Sequence, residues 1–213
     1  KWCFINGNNT PRIALVDLGT FRTKSIVEIP NCAGNHSSPF TTPNSEYVIS
    51  GTRFSVPMGD DAARDVPIES YRENFKGTVS FIHPDTVGKM SIAFQIITPG
   101  VNFDLSHTGK GPSDGWFFFS CYNSEQAYSL LEVNASQRDK DFIMAVNWKK
   151  AEQYAKEGKG RVVPVEYYSN WYNDETHSAE STVYEEVLQL DPRELKDIVY
   201  FMPCPKSPHG CDV

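Results

Sequence analysis

Two histidines in proline-bearing loops are the residues best placed to do chemistry. His209 stands in Pro203-Cys204-Pro205-Lys206-Ser207-Pro208-His209-Gly210, where three prolines fix φ and bias the residues before them towards extended backbone. A rigid turn that presents one imidazole suits a transition metal, since imidazole binds copper, zinc, iron or nickel, or else a structural hydrogen bond. His36 occupies a comparable place in the loop from Pro30 to Pro39, and His107 lies in the glycine-rich stretch from Pro99 to Ser113. A second cluster, Cys121-Tyr122-Asn123-Ser124-Glu125 with Asp139-Lys140-Asp141, sets carboxylates near strand ends, where with loop carbonyls they suit calcium. Helix capping by Ser124 and Glu125, ahead of a helix over 125–132, accounts for the same residues and is the better reading from the residues alone.

Positioning these groups falls to short strands. Trp2–Ile5, Arg12–Leu18, Lys24–Ile29 and Ser45–Phe54 read as a β-meander. Residues 57–75 are polar and read as a long surface loop. Gly77–His83, Lys89–Thr98 and Gly115–Tyr122 repeat the order, and Asp141–Asn147 begins a third round. That round is interrupted by a helix over Lys149–Glu157 and by the acidic, tyrosine-rich segment 166–186, then resumes at Ile198–Met202 as a buried strand ahead of the His209 loop. Rounds of about 50–75 residues, each with a histidine in a loop before a strand, predict the radially repeated sheets of a β-propeller. Loops entering the innermost strands meet at the axis, so His36 and His209 are expected to converge there. Three rounds do not close a ring. Both ends of the chain read as cut, which predicts a fragment of a longer protein.

Composition narrows the function classes. The chain has 213 residues, a net charge of -7, 39% hydrophobic and 13% aromatic residues. No basic cluster is present to neutralise phosphates, so no nucleic-acid partner is expected. No run approaches the roughly 20 apolar residues of a membrane span. Five cysteines at 3, 32, 121, 204 and 211 lack C-x-x-C spacing, which leaves mostly buried free thiols as the expectation. Hydrolase and nucleotide-binding motifs of the G-x-S-x-G, H-E-x-x-H and Walker types are missing. Three N-x-S/T triplets, at Asn8, Asn35 and Asn134, are frequent by chance.

Four blocks then carry a specific likeness: Trp116–Glu125, Leu130–Gln137, Lys140–Trp148 and Tyr200–Gly210. Together they resemble nitrous-oxide reductase over essentially the whole chain, and especially the branch found in bacteria such as Bacteroidetes. The resemblance implies an all-β fold, a seven-bladed β-propeller of which residues 1–213 supply roughly three to four blades with helical insertions, and a C-terminal cupredoxin domain absent from this chain. It implies reduction of nitrous oxide to dinitrogen and water at a sulfide-bridged four-copper cluster, with a dinuclear copper centre in the missing domain. His36 and His209 match two cluster ligands, and Tyr122, Glu125 and Asp141 match calcium ligands, with Ser207 where some members have asparagine. His83, His107 and His177 match no ligand. Asn35, Ser37 and Ser207 are the expected groups to orient the imidazoles.

The same resemblance implies a head-to-tail homodimer, a periplasmic location and a periplasmic electron donor. This fragment alone is not expected to assemble the cluster. The alternative is a non-catalytic propeller that serves as a binding scaffold without metal.

Overall fold

Alternating apolar and polar residues set the strands, as in Arg12–Asp17, where Ile13 and Leu15 are fully buried between more exposed neighbours. The computed structural model describes residues 1–36, 38–53, 56–57, 75–99, 103–121, 142–204, 208 and 210. Trp2–Asn6 (β1), Arg12–Asp17 (β2) and Arg22–Glu28 (β3) form a first antiparallel meander. Asn35–His36 (β4), Val48–Thr52 (β5), Phe75–Pro84 (β7) and Met90–Pro99 (β8) form a second, with Val56–Pro57 (β6) added beside β7. Phe103–Thr108 (β9), Trp116–Cys121 (β10) and Phe142–Asn147 (β11) begin a third sheet. After β11 come the helix Trp148–Lys156 (α1) and the strands Arg161–Asn173 (β12) and Ser178–Leu190 (β13), before Val199–Pro203 (β14) completes that sheet beside β11.

The second and third sheets face each other across an aromatic core. Ile49, Val79, Phe81, Phe94 and Ile96 on one side meet Phe103, Phe117, Phe119, Met144 and Val146 on the other. Each such buried side chain contributes about 1.5–3 kcal/mol. Phe81 and Phe94 stack at 4.3 Å, and Phe103 and Phe119 lie 4.8 Å apart. Successive four-stranded sheets packed face to face, with their first strands β4 and β9 adjacent, make an all-β, propeller-like fold. Among the described residues no helix is long and apolar enough to cross a membrane.

The repeat is phased differently from the sequence expectation. Residues 35–52 open the second sheet rather than closing the first, and residues 142–147 are the third strand of the sheet that begins at Phe103. His107 lies within β9, not in a loop. The segment 166–186 is no irregular interruption: it forms most of the β12–β13 hairpin, in which Tyr167, Ser169 and Trp171 point inward and their neighbours point out. Tyrosine, valine and threonine suit a half-buried strand, and the acidic residues stay on its wet face. β14 is also not buried: Tyr200, Phe201 and Met202 are 42–46% exposed on the outer edge of the third sheet.

The hairpin ties the sheets together. β12 pairs with β3 at Ser169–Trp171, while β13 runs parallel to β8 at Gln189 and Leu190. It thereby joins the first and second sheets into one ten-stranded sheet. Tyr167 and Tyr184 stack at 4.6 Å beneath it, and the Lys89 ammonium sits 4.6 Å from the Trp171 ring. The Gln189 side chain donates to Oε1 of Gln95 at 3.0 Å, and Nε2 of Gln95 donates in turn to the Ser80 hydroxyl and to the Pro30 carbonyl. Buried amides so partnered do not carry the desolvation penalty of lone polar groups.

Candidate metal centre

β4 is only two residues long, and neighbours on several sides hold it. The Asn35 N–H donates to the Gly7 carbonyl at 3.2 Å, and its own carbonyl accepts from the Asn6 side chain at 3.0 Å. The Asn35 side chain donates to the Arg12 carbonyl at 3.3 Å. One residue earlier, the Gly34 carbonyl accepts from the Arg53 N–H at 2.6 Å and from the Cys32 thiol at 2.8 Å. Burial pushes that thiol up to about 11, against the lowering effect of its hydrogen bond to Gly34.

The imidazole of His36 projects from this pinned strand towards β9. Its Nδ1 lies 2.8 Å from the Asp104 carbonyl. A carbonyl only accepts, so Nδ1 carries the proton, and in this arrangement Nε2 keeps the lone pair that can bind a metal. A carboxylate oxygen of Asp104 lies 3.8 Å from the same Nδ1, and that side chain is 6% exposed. A backbone carbonyl or carboxylate on the far nitrogen is the usual partner of a metal-binding histidine. Opposite His36 in the ladder stands Gly51. A Cβ there would fall 2.5 Å from Phe119 and 2.8 Å from Phe103, so only glycine lets the aromatic core close up behind the histidine strand.

Two curated relatives match the sequence of this chain over essentially its whole length. The chain is 27% identical over 218 residues, 99% of its length, to the nitrous-oxide reductase of Pseudomonas fluorescens, and 25% identical over 217 residues, its full length, to that of Stutzerimonas stutzeri. It is similar to nitrous-oxide reductase throughout. The chain spans 29% of the length of each of these nitrous-oxide reductases. No family model matches it.

Of the residues for which nitrous-oxide reductase suggests a metal, the structure describes His36. His209, Tyr122, Glu125 and Asp141 lie outside the described residues, as do Ser37, Ser207 and the helix expected over 125–132. Gly210, next to His209, sits against β9: a Cβ on it would lie 3.4 Å from Nε2 of His107 and 3.7 Å from Leu105. His36 and the neighbour of His209 therefore rest on the same strand. Among the described residues no three His, Cys, Asp or Glu side chains gather as a metal-binding group.

Asn35 does not orient the His36 ring, contrary to expectation. Its backbone and its side-chain NH2 bond to the first sheet, and Asp104 takes the role. A carbonyl 68 positions away leaves no mark in the sequence. A buried acid amid the strand residues Phe103–Thr108 is the one sign that could have pointed there.

The remaining histidines lie apart from His36. His83 is exposed, with Nδ1 3.2 Å from the Glu46 carbonyl, and His177 is in the hairpin turn with φ of 52°. Of the described cysteines, Cys32 and Cys121 are buried, Cys204 is half-buried and Cys3 is exposed.

Proposed function

We propose that this chain is part of the propeller of a copper-dependent nitrous-oxide reductase, with His36 and His209 as two of the imidazoles that hold its copper cluster. The observation that carries the reading is the end-to-end likeness to two nitrous-oxide reductases. The His36 ring supports it, since its geometry is that of a ligand with the far nitrogen already engaged. Imidazole donors suit copper, and the pinned backbone of β4 would fix the ring against rotation as the metal binds.

A bound cluster would supply the site at which nitrous oxide takes two electrons and two protons to give dinitrogen and water. The chain's own part is to orient. Asp104 sets the His36 tautomer, and Gly51 with Phe103 and Phe119 keeps the strand behind it dry and close-packed. Tyr122, Glu125 and Asp141 are proposed to hold calcium nearby. The cupredoxin domain with its dinuclear copper, the head-to-tail homodimer, the periplasmic location and the periplasmic electron donor all belong to this proposal for the full-length protein.

Copper analysis and nitrous-oxide-dependent electron uptake of the full-length protein test it. His36→Ala and His209→Ala should each abolish cluster copper and activity while leaving the copper of the dinuclear centre in place. A wild-type protein whose only copper is dinuclear, or either variant with cluster copper unchanged, would favour the alternative, a propeller that is a binding scaffold without metal.

A further inference from the structure

The β12–β13 hairpin joins the first sheet through three residue pairs, Ser169–Trp171 on β12 against Ser25–Val27 on β3. Ser169 stands opposite Val27, and Ser25 stands opposite Trp171. Side chains alternate between the faces of a sheet, so the two serines are diagonal neighbours on one face. That face is the buried one: Ser169 is 0% and Ser25 2% exposed. Neither Oγ has a hydrogen-bond partner among the described residues. Diagonal neighbours stand about 7 Å apart at their β-carbons, too far for one hydroxyl to reach the other and a fitting span for one small molecule between them.

The same face offers further polar groups. Thr182 pairs with Ser169 inside the hairpin and is half-buried, which adds a third hydroxyl. The rung on one side of this pair carries Trp171, and the rung on the other carries Tyr184 stacked on Tyr167. The Lys89 ammonium lies 4.6 Å from the Trp171 ring and 5.6 Å from the Tyr184 ring, so it stands over the rung between them. Ring faces attract the cation but leave its N–H groups free for an oxygen. Buried hydroxyls in native proteins nearly always take a partner, from protein or from ordered water. A buried water makes about two to four hydrogen bonds to such groups, whereas an apolar occupant would meet none of them. We propose that the seam of β3, β12 and β13 is a buried water-binding site, in which an ordered water bridges the Ser25 and Ser169 hydroxyls on the side where Thr182 and the Lys89 ammonium stand. Each hydroxyl both donates and accepts, so water satisfies it in either sense. The bridge gives the hairpin an attachment to the first sheet beyond its short ladder, and it is independent of any metal.

Crystals of the full-length protein test it first. Density for a water within hydrogen-bond reach of both Ser25 Oγ and Ser169 Oγ is expected. An empty site overturns the proposal, and so does a site that fills with bromide on soaking, which marks an anion instead. Removing the hydroxyls then separates a bridging water from two unpaired groups. An unpaired buried hydroxyl costs the fold stability, so at a dry site Ser25→Ala and Ser169→Ala would leave stability unchanged or raise it. With the water in place, each variant should be less stable than wild type. Amide exchange in β3 and β12 should quicken severalfold in both variants, with exchange in β10 and β11 unchanged. The double variant should lose little more than either single one, because one bridge is broken only once. Wild-type exchange in both variants, or fully additive losses in the double variant, overturns the proposal. If a variant does not fold, the density in the wild type decides. A protein without copper passes or fails these tests in the same way, so their outcome is separate from that of the copper reading.

Discussion

β4 and the β12–β13 hairpin reach their positions by opposite routes. The two residues of β4 are held by contacts from Asn6, Gly7, Arg12, Gly51 and Asp104, all far off in the chain or in another sheet. The hairpin has strands of thirteen residues each, paired to one another in register on either side of one irregularity. Its stability is largely local; its inward residues Tyr167 and Val187 settle onto an apolar cluster, and Trp171 is buried under the Lys89 ammonium. A histidine that must stay within a fraction of an ångström of a metal is better placed on the first kind of element, where several independent bonds over-determine the backbone.

The contrast can be broken from either side. The largest effect is expected from Trp171→Ala, which should cost about 3–5 kcal/mol as a large buried side chain is removed. The ring resonances of His36 should nevertheless hold their shifts in the folded fraction. Thermal denaturation with NMR of the imidazoles checks both, and displaced His36 signals would show that the two regions are coupled.

Alkaline pH should act on the inner edge next. Cys32 has its pKa raised from 9.0 to about 11 by burial. The folded protein therefore holds the thiol proton more tightly than the unfolded chain. That stability is fully present below pH 9 and is lost as pH rises towards 11, a difference on the order of 2–3 kcal/mol. Cys32→Ala should flatten this limb of the stability curve, as urea titrations at several pH values would reveal.

Gly51→Ala should cost about 1–3 kcal/mol through overpacking against Phe103 and Phe119. Unlike Trp171→Ala it should shift the His36 ring signals, because the added methyl acts on the strand directly opposite. The smallest effect is expected from Arg12→Ala. It removes an exposed ion pair to Glu28 at 2.5 Å but leaves the Arg12 carbonyl that holds Asn35, so the loss should stay below about 1 kcal/mol.

Much of the fold was legible because strand periodicity is local. Residues 12–17, 75–84, 90–99 and 116–121 were readable from alternation and apolar runs, and the helix after Asn147 from its composition. The hairpin was missed because Glu166, Asp174, Glu175, Glu180, Glu185 and Glu186 make the segment look solvated, although their spacing puts most of them on the exposed side or in the turn. Periodicity says nothing of which sheet a strand joins, so the repeat was phased one strand out. β14 read as buried because five apolar residues in a row do not distinguish a central strand from an edge.

At the site, His36 was marked by its loop and by resemblance. What orients it, a carbonyl of β9, could not be, since every residue has a carbonyl and only the fold selects one.

Stacked repeats ordinarily communicate only with their nearest neighbours, so that their unfolding can proceed unit by unit. Here a hairpin that leaves the third sheet pairs with β8 of the second and β3 of the first. The outermost unit cannot peel away without stripping the hairpin, and the hairpin cannot lift without exposing Tyr167, Trp171 and Val187 to water. The three sheets are thus joined into one cooperative unit, and a proteolytic cut in the turn over 174–177 should split a single melting transition into two.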